Sequence, residues 1–302
     1  MAGSQRDPSR PARPERARAA LASAIVLGVS LALLAAPAHG PALAHPRAPE
    51  WEVYALRYAT VKAFPVRYLV ARADTARKAD IAMMFWLLEG PDRRRVLVDA
   101  GFYRQKFLDA WKPADFMKPS DVVNGFGIPP DSITDIIVSH VHWDHLDGAD
   151  LFPNATIWIQ REEYEHHVGA DGRPLYPAID TLDARMLFAM NQAGRVRLVP
   201  GDAQEILPGI TVYTGGKHTF ASQYAGVRTV KGMVVVASDN CYLYENLEKH
   251  VAIAQSLDSA SNLAAQDRMK ELAAAPRLIV PGHDAAVFAR FHAASPRAVK
   301  IE

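Results

Sequence analysis

The sequence predicts an α+β fold, a four-layer αββα sandwich in which two β-sheets pack face to face and helices cover their outer sides. The main observation is that each half of the chain after residue 50 holds a run of predicted strands joined to helices. A second observation is the segment 139–145, which directly follows a predicted buried strand and contains three histidines and an aspartate. The expected domain therefore carries its chemistry at the end of a strand.

In the first half, strands are predicted at residues 51–58, 68–71, 82–88 and 95–99, and residues 90–92 form the turn of a hairpin. Helical stretches are expected between residues 102 and 127, where the aromatic side chains are interpreted mainly as core. A buried strand at 133–138 leads to the histidine-rich segment. A strand at 155–160, a short helix at 161–168 and a mainly helical stretch at 176–192 follow.

The second half repeats this alternation. Strands are predicted at residues 196–199, 210–213, 224–229 and 233–237, helices near 245–255 and 259–275, and a last strand at 277–280. The pocket of the domain is expected between the segments 64–85 and 102–127.

Residues 1–44 predict a secretory signal peptide. Five arginines precede an uncharged stretch at 19–38, and small residues that suit cleavage end at Ala38 and Ala44. Cleavage after Ala44 leaves a hydrolase domain at 45–302, expected in the periplasm or outside the cell, with no stable membrane contact. An uncleaved membrane anchor is the alternative.

Charge and cysteine content exclude some classes of protein. The chain has 34 basic and 33 acidic residues, and removing the five arginines and two acids of residues 1–44 leaves 29 and 31, a net charge near −2. We therefore expect no nucleic-acid partner. Cys241 is the single cysteine, so no internal disulfide can form.

The segment from His140 to His145 has the pattern H-x-H-x-D-H. At extended spacing His140 and His142 point to the same side, while Asp144 and His145 come from the following turn. Imidazole and carboxylate groups are metal ligands, so this one segment could begin two metal sites.

Three further candidate ligands follow predicted strands of the second half, in turns marked by glycine, serine or proline. They are His218, Asp239 and His283. Each signal is weak alone, but their recurrence at one end of successive strands predicts a shared site.

From about Asp99 to Asp284 the chain resembles the metallo-β-lactamase superfamily and, within it, the N-acyl homoserine lactonases. The resemblance is carried by residues 97–101 (Leu-Val-Asp-Ala-Gly), the cluster at 140–145, the turn at His218, Asp239 with Tyr242, and the ending Pro-Gly-His-Asp at 281–284. Asp239 with Tyr242 favours the lactonase branch over the β-lactamase branch.

Carried over residue by residue, the resemblance implies two divalent metal ions. One would be held by His140, His142 and His218, the other by Asp144, His145 and His283, with Asp239 bridging them. Such ligands suit zinc, and iron, cobalt or manganese could occupy the same set.

The resemblance also implies a reaction. A hydroxide shared by the two ions attacks a lactone carbonyl, Tyr242 donates to the developing oxyanion, and Asp144 returns the proton to the leaving alkoxide. Asp99 resembles the buried acid that holds a metal-binding histidine in its tautomer, and simple turn chemistry with Gly101 is the alternative.

Some positions depart from the family pattern or have a second interpretation. Ser222 stands where relatives often have a second histidine, Lys217 is expected to point away into solvent, and Cys241 is interpreted as a small buried residue. The glutamate-rich helix with His166 and His167 is interpreted as a solvated face.

The implied partner is a small ester or lactone, and a homodimer is left open. Two other function classes compete with the lactonase. One is another hydrolase on this scaffold, namely a β-lactamase, a thioesterase, or an aryl ester or organophosphate hydrolase. The other is a non-catalytic metal-binding envelope protein.

Overall fold

The computed structural model describes residues 50–302, so the leader predicted at residues 1–44 lies outside the described residues. The strands are β1 (Glu52–Pro65), β2 (Lys78–Glu89), β3 (Arg95–Val98), β4 (Asp135–Ile137), β5 (Thr156–Gln160), β6 (Val196–Val199), β7 (Gln204–Leu207), β8 (Ile210–Thr214), β9 (Gln223–Thr229), β10 (Gly232–Ser238), β11 (Ile279–Pro281), β12 (His292–Ser295) and β13 (Ala298–Lys300). The α-helices are α1 (Gln105–Trp111), α2 (Pro119–Gly125), α3 (Trp143–Leu146), α4 (Arg161–His167), α5 (Thr181–Gln192), α6 (Tyr244–Lys249), α7 (Ser259–Leu272) and α8 (Val287–Arg290).

The strands form two mixed sheets. The larger sheet has the order β12-β13-β1-β2-β3-β4-β5-β6, and the smaller has the order β11-β10-β9-β8-β7. β2 and β3 pair antiparallel with Trp86 opposite Val98, which confirms the predicted hairpin. From β3 to β6 the neighbouring strands run parallel, so their carboxyl ends meet at one edge.

Alternation along β2 shows that the larger sheet is buried on both faces. Met84 and Trp86 point into the core between the two sheets. Met83 and Phe85 point to the opposite face, into the core beneath the helices. Period-two alternation with apolar residues on both sides is what a sheet covered on both faces requires.

Helices complete the outer layers. Val122 of α2 and Leu187 of α5 join the core on the outer face of the larger sheet. Ala265 and Met269 of α7 pack on the outer face of the smaller sheet, against Val235. The order helix, sheet, sheet, helix confirms the predicted four-layer α+β sandwich.

Some predicted elements were wrong. The strand predicted at residues 68–71 is absent among the described residues. A 3-10 helix at Val66–Tyr68 stands there instead, and the amide of Val70 bonds to the carbonyl of Val66. Short apolar runs are ambiguous between strand and turn, and here Pro65 ends β1.

Helix ends were also misplaced. α6 ends at Lys249 rather than near 255, because His250 adopts a left-handed backbone with φ of 49°. α5 begins at Thr181, where the Asp180 side chain accepts from the amide of Leu182. β7, β12 and β13 were not predicted from the sequence.

The structure shows no helix among residues 50–302 with the length and apolar character needed to span a membrane.

Candidate metal centre

The first group of ligand candidates gathers three imidazoles from two sheets. His140 and His142 follow β4, and His218 follows β8. His142 Nδ1 lies 3.0 Å from His140 Nε2 and 3.0 Å from His218 Nε2. Three ring nitrogens therefore converge on one point.

The second group lies beside the first. Asp144 and His145 are on α3, and His283 follows β11. Asp144 Oδ2 lies 3.5 Å from His145 Nε2 and 3.6 Å from His283 Nε2. With Asp239 in the first group, these are the two sets of described residues whose donor atoms could each hold an ion.

Asp239, directly after β10, stands between the two groups. Its Oδ2 is 3.4 Å from His218 Nε2 and 3.3 Å from His145 Nε2, and its Oδ1 is 3.0 Å from His283 Nε2. His140 Nε2 is 3.7 Å from the same Oδ2, so the carboxylate lies near two histidines of each group. This is the position of a bridging ligand.

Two features fix the position of Asp239. Ser238, directly before it, has a left-handed backbone with φ of 46°, and Gly282 packs closely against the Asp239 side chain. A Cβ atom on Gly282 would lie 2.6 Å from Asp239 Oδ1 and 2.8 Å from the carbonyl carbon of Ser238, so only glycine leaves room there.

Four of the five histidines are oriented through Nδ1, which leaves Nε2 to face the centre. The partners are Ser139 Oγ for His140 (2.9 Å), Asp99 Oδ2 for His145 (2.8 Å), the Gln255 carbonyl for His218 (2.8 Å) and the Ala82 carbonyl for His283 (3.1 Å). Such contacts set the tautomer of metal-binding histidines. The expected contact of Asp99 with a histidine is therefore present.

The donor set fits metal ions. Among the described residues, His145 Nε2 and Asp239 Oδ1 are buried without a hydrogen bond, because the approach of His283 to Oδ1 lacks hydrogen-bond geometry. Buried polar atoms without partners are costly, and a cation would satisfy both. Nitrogen ligands around a tetrahedral zinc lie about 3.3 Å apart, close to the spacings seen here.

Electrostatics separates the two groups. Burial and the neighbouring histidines lower the pKa of His140 well below its usual range, and burial lowers the pKa of His142 to about 3. Burial would raise the pKa of Asp239, but His145 and His283 lower it further, to well below the usual value. In the second group burial would lower the pKa of His145 and His283, but the Asp239 and Asp144 carboxylates raise it above the usual value. The first group therefore already has the neutral imidazoles and the ionised carboxylate that metal binding requires, whereas the second group would release protons when an ion binds.

Tyr242 lies against the first group. Its hydroxyl oxygen is 3.4 Å from His218 Nδ1. Because that nitrogen donates its proton to the Gln255 carbonyl, it cannot accept the phenol proton. The Tyr242 hydroxyl can therefore donate to a group in the cavity that it lines.

The cavity over the centre has a volume of about 180 Å³ and an apolar wall. Asp144, Asp239, Tyr242 and His283 line its floor. The wall contains Phe64, Leu69, Ile81, Met83, Trp111 and Trp143. These residues come mostly from the segments 64–85 and 102–127, as predicted, and the site therefore combines an apolar pocket with convergent polar groups.

Other predictions at the site had mixed outcomes. Cys241 is fully buried, and its Sγ contacts the Leu243 carbonyl, as expected of a small buried residue. Ser222 Oγ donates to Asn240 Oδ1. The Lys217 ammonium donates to the Phe220 carbonyl on the exposed side.

The predicted solvated face on α4 is present at Glu162 and Glu165, but the prediction was wrong for Glu163 and His167. Glu163 is 0% exposed and His167 3% exposed, because this side of the helix packs against the loops that carry the histidines. Sequence reasoning also missed Ser139, whose position next to His140 was a usable signal. It missed Gln255, which acts through its backbone carbonyl and leaves no signal in the sequence.

Comparisons with known proteins agree with this geometry. An N-acyl homoserine lactonase of Bacillus cereus is 34% identical over 166 residues, 54% of this chain and 60% of that protein. A lactonase of the same description from Bacillus sp is 31% identical over 54% of this chain and 61% of its own length. The chain thus spans about three-fifths of the length of these curated relatives.

Solved structures share the fold. An N-acyl homoserine lactone hydrolase with the product N-hexanoyl-L-homoserine at its catalytic metal center has a TM-score of 0.67, with 20% identity over 82% of this chain and 98% of that one. The dizinc quorum-quenching lactonase AidC has a TM-score of 0.61, with 15% identity over 84% of this chain and 95% of its own.

The family model described as the metallo-beta-lactamase superfamily matches residues 84–283, a span that holds every ligand candidate, the whole smaller sheet and strands β3 to β6 of the larger sheet. With the four-layer sandwich and the two groups of donors at one edge of the sheets, this match shows that the chain belongs to the metallo-beta-lactamase superfamily.

Proposed function

We propose that this protein is a dinuclear metal hydrolase that opens the ring of N-acyl homoserine lactones. The observation that carries the proposal is Asp239, which lies between two groups of donors in the same cavity as the Tyr242 hydroxyl. The curated relatives, which are lactonases, support the choice of substrate.

The proposed ligands are those of the two groups. His140, His142 and His218 would hold one ion, Asp144, His145 and His283 the other, and Asp239 would bridge them. Zinc is the proposed metal, because the set contains imidazoles and carboxylates, and the pair of ions would supply Lewis acidity and an activated water at neutral pH.

Each protein group then has a task in ring opening. The Tyr242 hydroxyl donates a hydrogen bond to the carbonyl oxygen as negative charge develops there. Asp144, whose side chain is 14% exposed, takes the proton of the attacking water and gives it to the ring oxygen when the C–O bond breaks. The product is a hydroxy acid, which releases a proton at neutral pH.

The apolar wall supports an acyl substituent on the lactone. Trp111, Trp143 and Phe64 line the cavity, and Trp111 packs against both of the other rings. An acyl chain buried against them gains about 0.8 kcal/mol for each methylene removed from water.

The leader predicted at residues 1–44 adds a proposal on location. We infer export to the periplasm or the medium, and fractionation of cells that express the full chain tests it. A full-length protein confined to the cytoplasm would contradict export.

The experiment for the activity is a proton-release assay on purified protein of known metal content. The substrates are butanoyl and decanoyl homoserine lactone, phenyl acetate, S-lactoylglutathione and nitrocefin. We expect the lactones to be hydrolysed fastest. Turnover of nitrocefin alone would overturn the proposal, and no turnover with two ions bound would favour a non-catalytic metal-binding protein.

Tyr242→Phe tests the role of the hydroxyl. We expect the kcat for lactones to fall by about 10- to 100-fold, because one oxyanion donor is lost, while the metal content stays the same. An unchanged kcat would remove Tyr242 from the mechanism.

A further inference from the structure

Glu163 on α4 is a buried carboxylate that the proposed reaction does not use. Its side chain is 0% exposed. Among the described residues no lysine or arginine forms an ion pair with it, and His167 Nε2 is 3.7 Å away. A buried charge without a cationic partner is expensive, so its contacts need an explanation.

The contacts of Glu163 go to the two loops that carry the first group of histidines. Glu163 Oε1 accepts from the Val141 amide at 3.2 Å and from Thr219 Oγ1 at 2.5 Å. Glu163 Oε2 accepts from the Ala221 amide at 2.7 Å. Val141 stands between His140 and His142, and Thr219 directly follows His218.

These two loops belong to different sheets. The Val141 loop follows β4 of the larger sheet, and residues 218–221 connect β8 and β9 of the smaller sheet. One carboxylate therefore fixes the distance between the loop of His140 and His142 and the loop of His218. The second group, which lies on α3 and after β11, has no contact of this kind with Glu163.

We propose that Glu163 is a positioning residue that sets the geometry of one metal site, the one formed by His140, His142 and His218, and leaves the other site largely unaffected. This inference rests on the metal ligands assigned under the proposed function. It does not depend on which substrate is hydrolysed.

The chemistry of the three contacts makes Glu163→Gln a sharp test. All three partners donate, and two of them are backbone amides that cannot do otherwise. An amide side chain accepts through one oxygen only, so its NH2 group would face at least one N–H donor in either orientation. The substitution therefore keeps the volume of the side chain but loses at least one of the hydrogen bonds by which residue 163 holds the two loops.

The experiment is a zinc competition titration against a chromophoric chelator, with visible spectra of the cobalt-substituted protein as a second readout. For the wild type we expect two equivalents. Glu163→Gln should lower the affinity for one of these two zinc ions by about 10- to 100-fold, which is the usual effect of removing a group that orients metal ligands. The other equivalent should change little, and only part of the cobalt spectrum should shift.

Three further variants identify the affected site. His142→Ala should abolish the same equivalent that Glu163→Gln weakens. Thr219→Val removes one of the three donors and should lower the affinity of the same site for zinc by a smaller factor. If Glu163→Gln does not fold, Thr219→Val tests the inference in its place. Glu165→Gln, on the exposed side of the same helix, is the matched control and should bind both equivalents as the wild type does.

Two results would overturn the inference. One is equal weakening of both equivalents together with a lower melting temperature, which would indicate a general structural role. The other is unchanged affinity in Glu163→Gln and Thr219→Val. A wild type that binds no zinc would instead contradict the proposed function, so the two failures can be told apart.

Discussion

At the residue scale, three positions beside the centre adopt a left-handed backbone although none is glycine. They are Asp99 (φ 64°), Lys217 (φ 57°) and Ser238 (φ 46°). Each such residue costs on the order of 1 kcal/mol or more, and such conformations cluster at functional sites. Asp99 contacts His145, while Lys217 and Ser238 directly precede His218 and Asp239. The strained backbone conformations therefore occur where the chain turns a ligand, or the residue that orients a ligand, toward the centre.

Asp99 also shows how a small network replaces a single contact. Its Oδ1 accepts from the Ser139 amide at 2.8 Å, and its Oδ2 accepts from Ser139 Oγ at 3.0 Å and Ser238 Oγ at 2.8 Å. Because Ser139 Oγ gives its proton to Asp99, it can accept from His140 Nδ1. One carboxylate thus orients a histidine of each group.

His167 supports a prediction on the pH dependence of stability. Burial and the neighbouring His166 lower the pKa of His167 to about 4, from an ordinary 6.5. Between these values the unfolded chain binds a proton that the folded protein does not. The free energy of unfolding therefore falls as pH drops from 6.5 to 4, by at most about 2 kcal/mol at pH 5 from this residue.

Denaturant unfolding at pH 7 and pH 5 measures this effect. His167→Leu should lose less free energy of unfolding on acidification than the wild type does. The exposed His292→Gln is the control and should behave as the wild type does. Identical pH dependence in wild type and His167→Leu would show that His167 does not contribute.

At the element scale, α1 is a helix with no buried side chain, so it does not fold onto a core of its own. Aromatic contacts hold it over the cavity. The ring centroids of Phe107 and Trp143 are 4.7 Å apart, those of Trp111 and Trp143 are 5.0 Å apart, and Trp111 stacks on Phe64 at 5.9 Å. Before the helix, Arg104 pairs with Asp147 and Asp183. α1 is thus an anchored cover of the pocket.

Trp111→Ala should therefore affect substrate binding more than stability. Trp111 is 36% exposed, so the loss of folding energy is small, but a bound acyl chain loses the ring that covers it. We expect KM for decanoyl homoserine lactone to rise about 10-fold, a smaller rise for the butanoyl lactone, and little change in kcat. Met117→Ala, with the same 36% exposure but outside the cavity lining, is the control. Equal KM changes for both lactones would contradict an acyl site at α1.

Elements with clear periodicity could be predicted from the sequence, and short or irregular elements could not. The alternating run of β2 and the apolar run before His140 identified the strands that matter for the site. β13 escaped prediction because its pairing with β1 is a long-range contact, with Tyr54 opposite Lys300, and β12 was missed with it because it pairs with β13. β7 was missed because it has only four residues, of which Leu207 alone is buried, so its sequence shows no clear alternation of apolar and polar residues.

At the scale of the whole molecule, the centre joins the two sheets. Four ligand candidates follow β4 of the larger sheet, and three follow β8, β10 and β11 of the smaller one. These ligand candidates could be predicted from the sequence because each lies shortly after a predicted strand, in a histidine-rich segment or in a turn that contains glycine, serine or proline. Glu163 could not be predicted, because a glutamate among exposed glutamates on a short helix has no distinctive pattern, and only the packing of α4 shows which one is buried.

Metal removal should consequently loosen one end of the sandwich rather than the whole domain. An ion that binds only the folded state stabilises it by about 4 kcal/mol when its free concentration is 1,000 times Kd. We expect chelation to lower the melting temperature and to speed amide exchange in residues 139–147, 215–222 and 282–284. The core strand β2, whose Phe85 and Trp86 are fully buried, should remain protected. Added zinc should restore both properties. Uniform loss of protection over β2 and the loops would show that the ions stabilise the entire fold, and no change at all would show that the two sheets are joined without them.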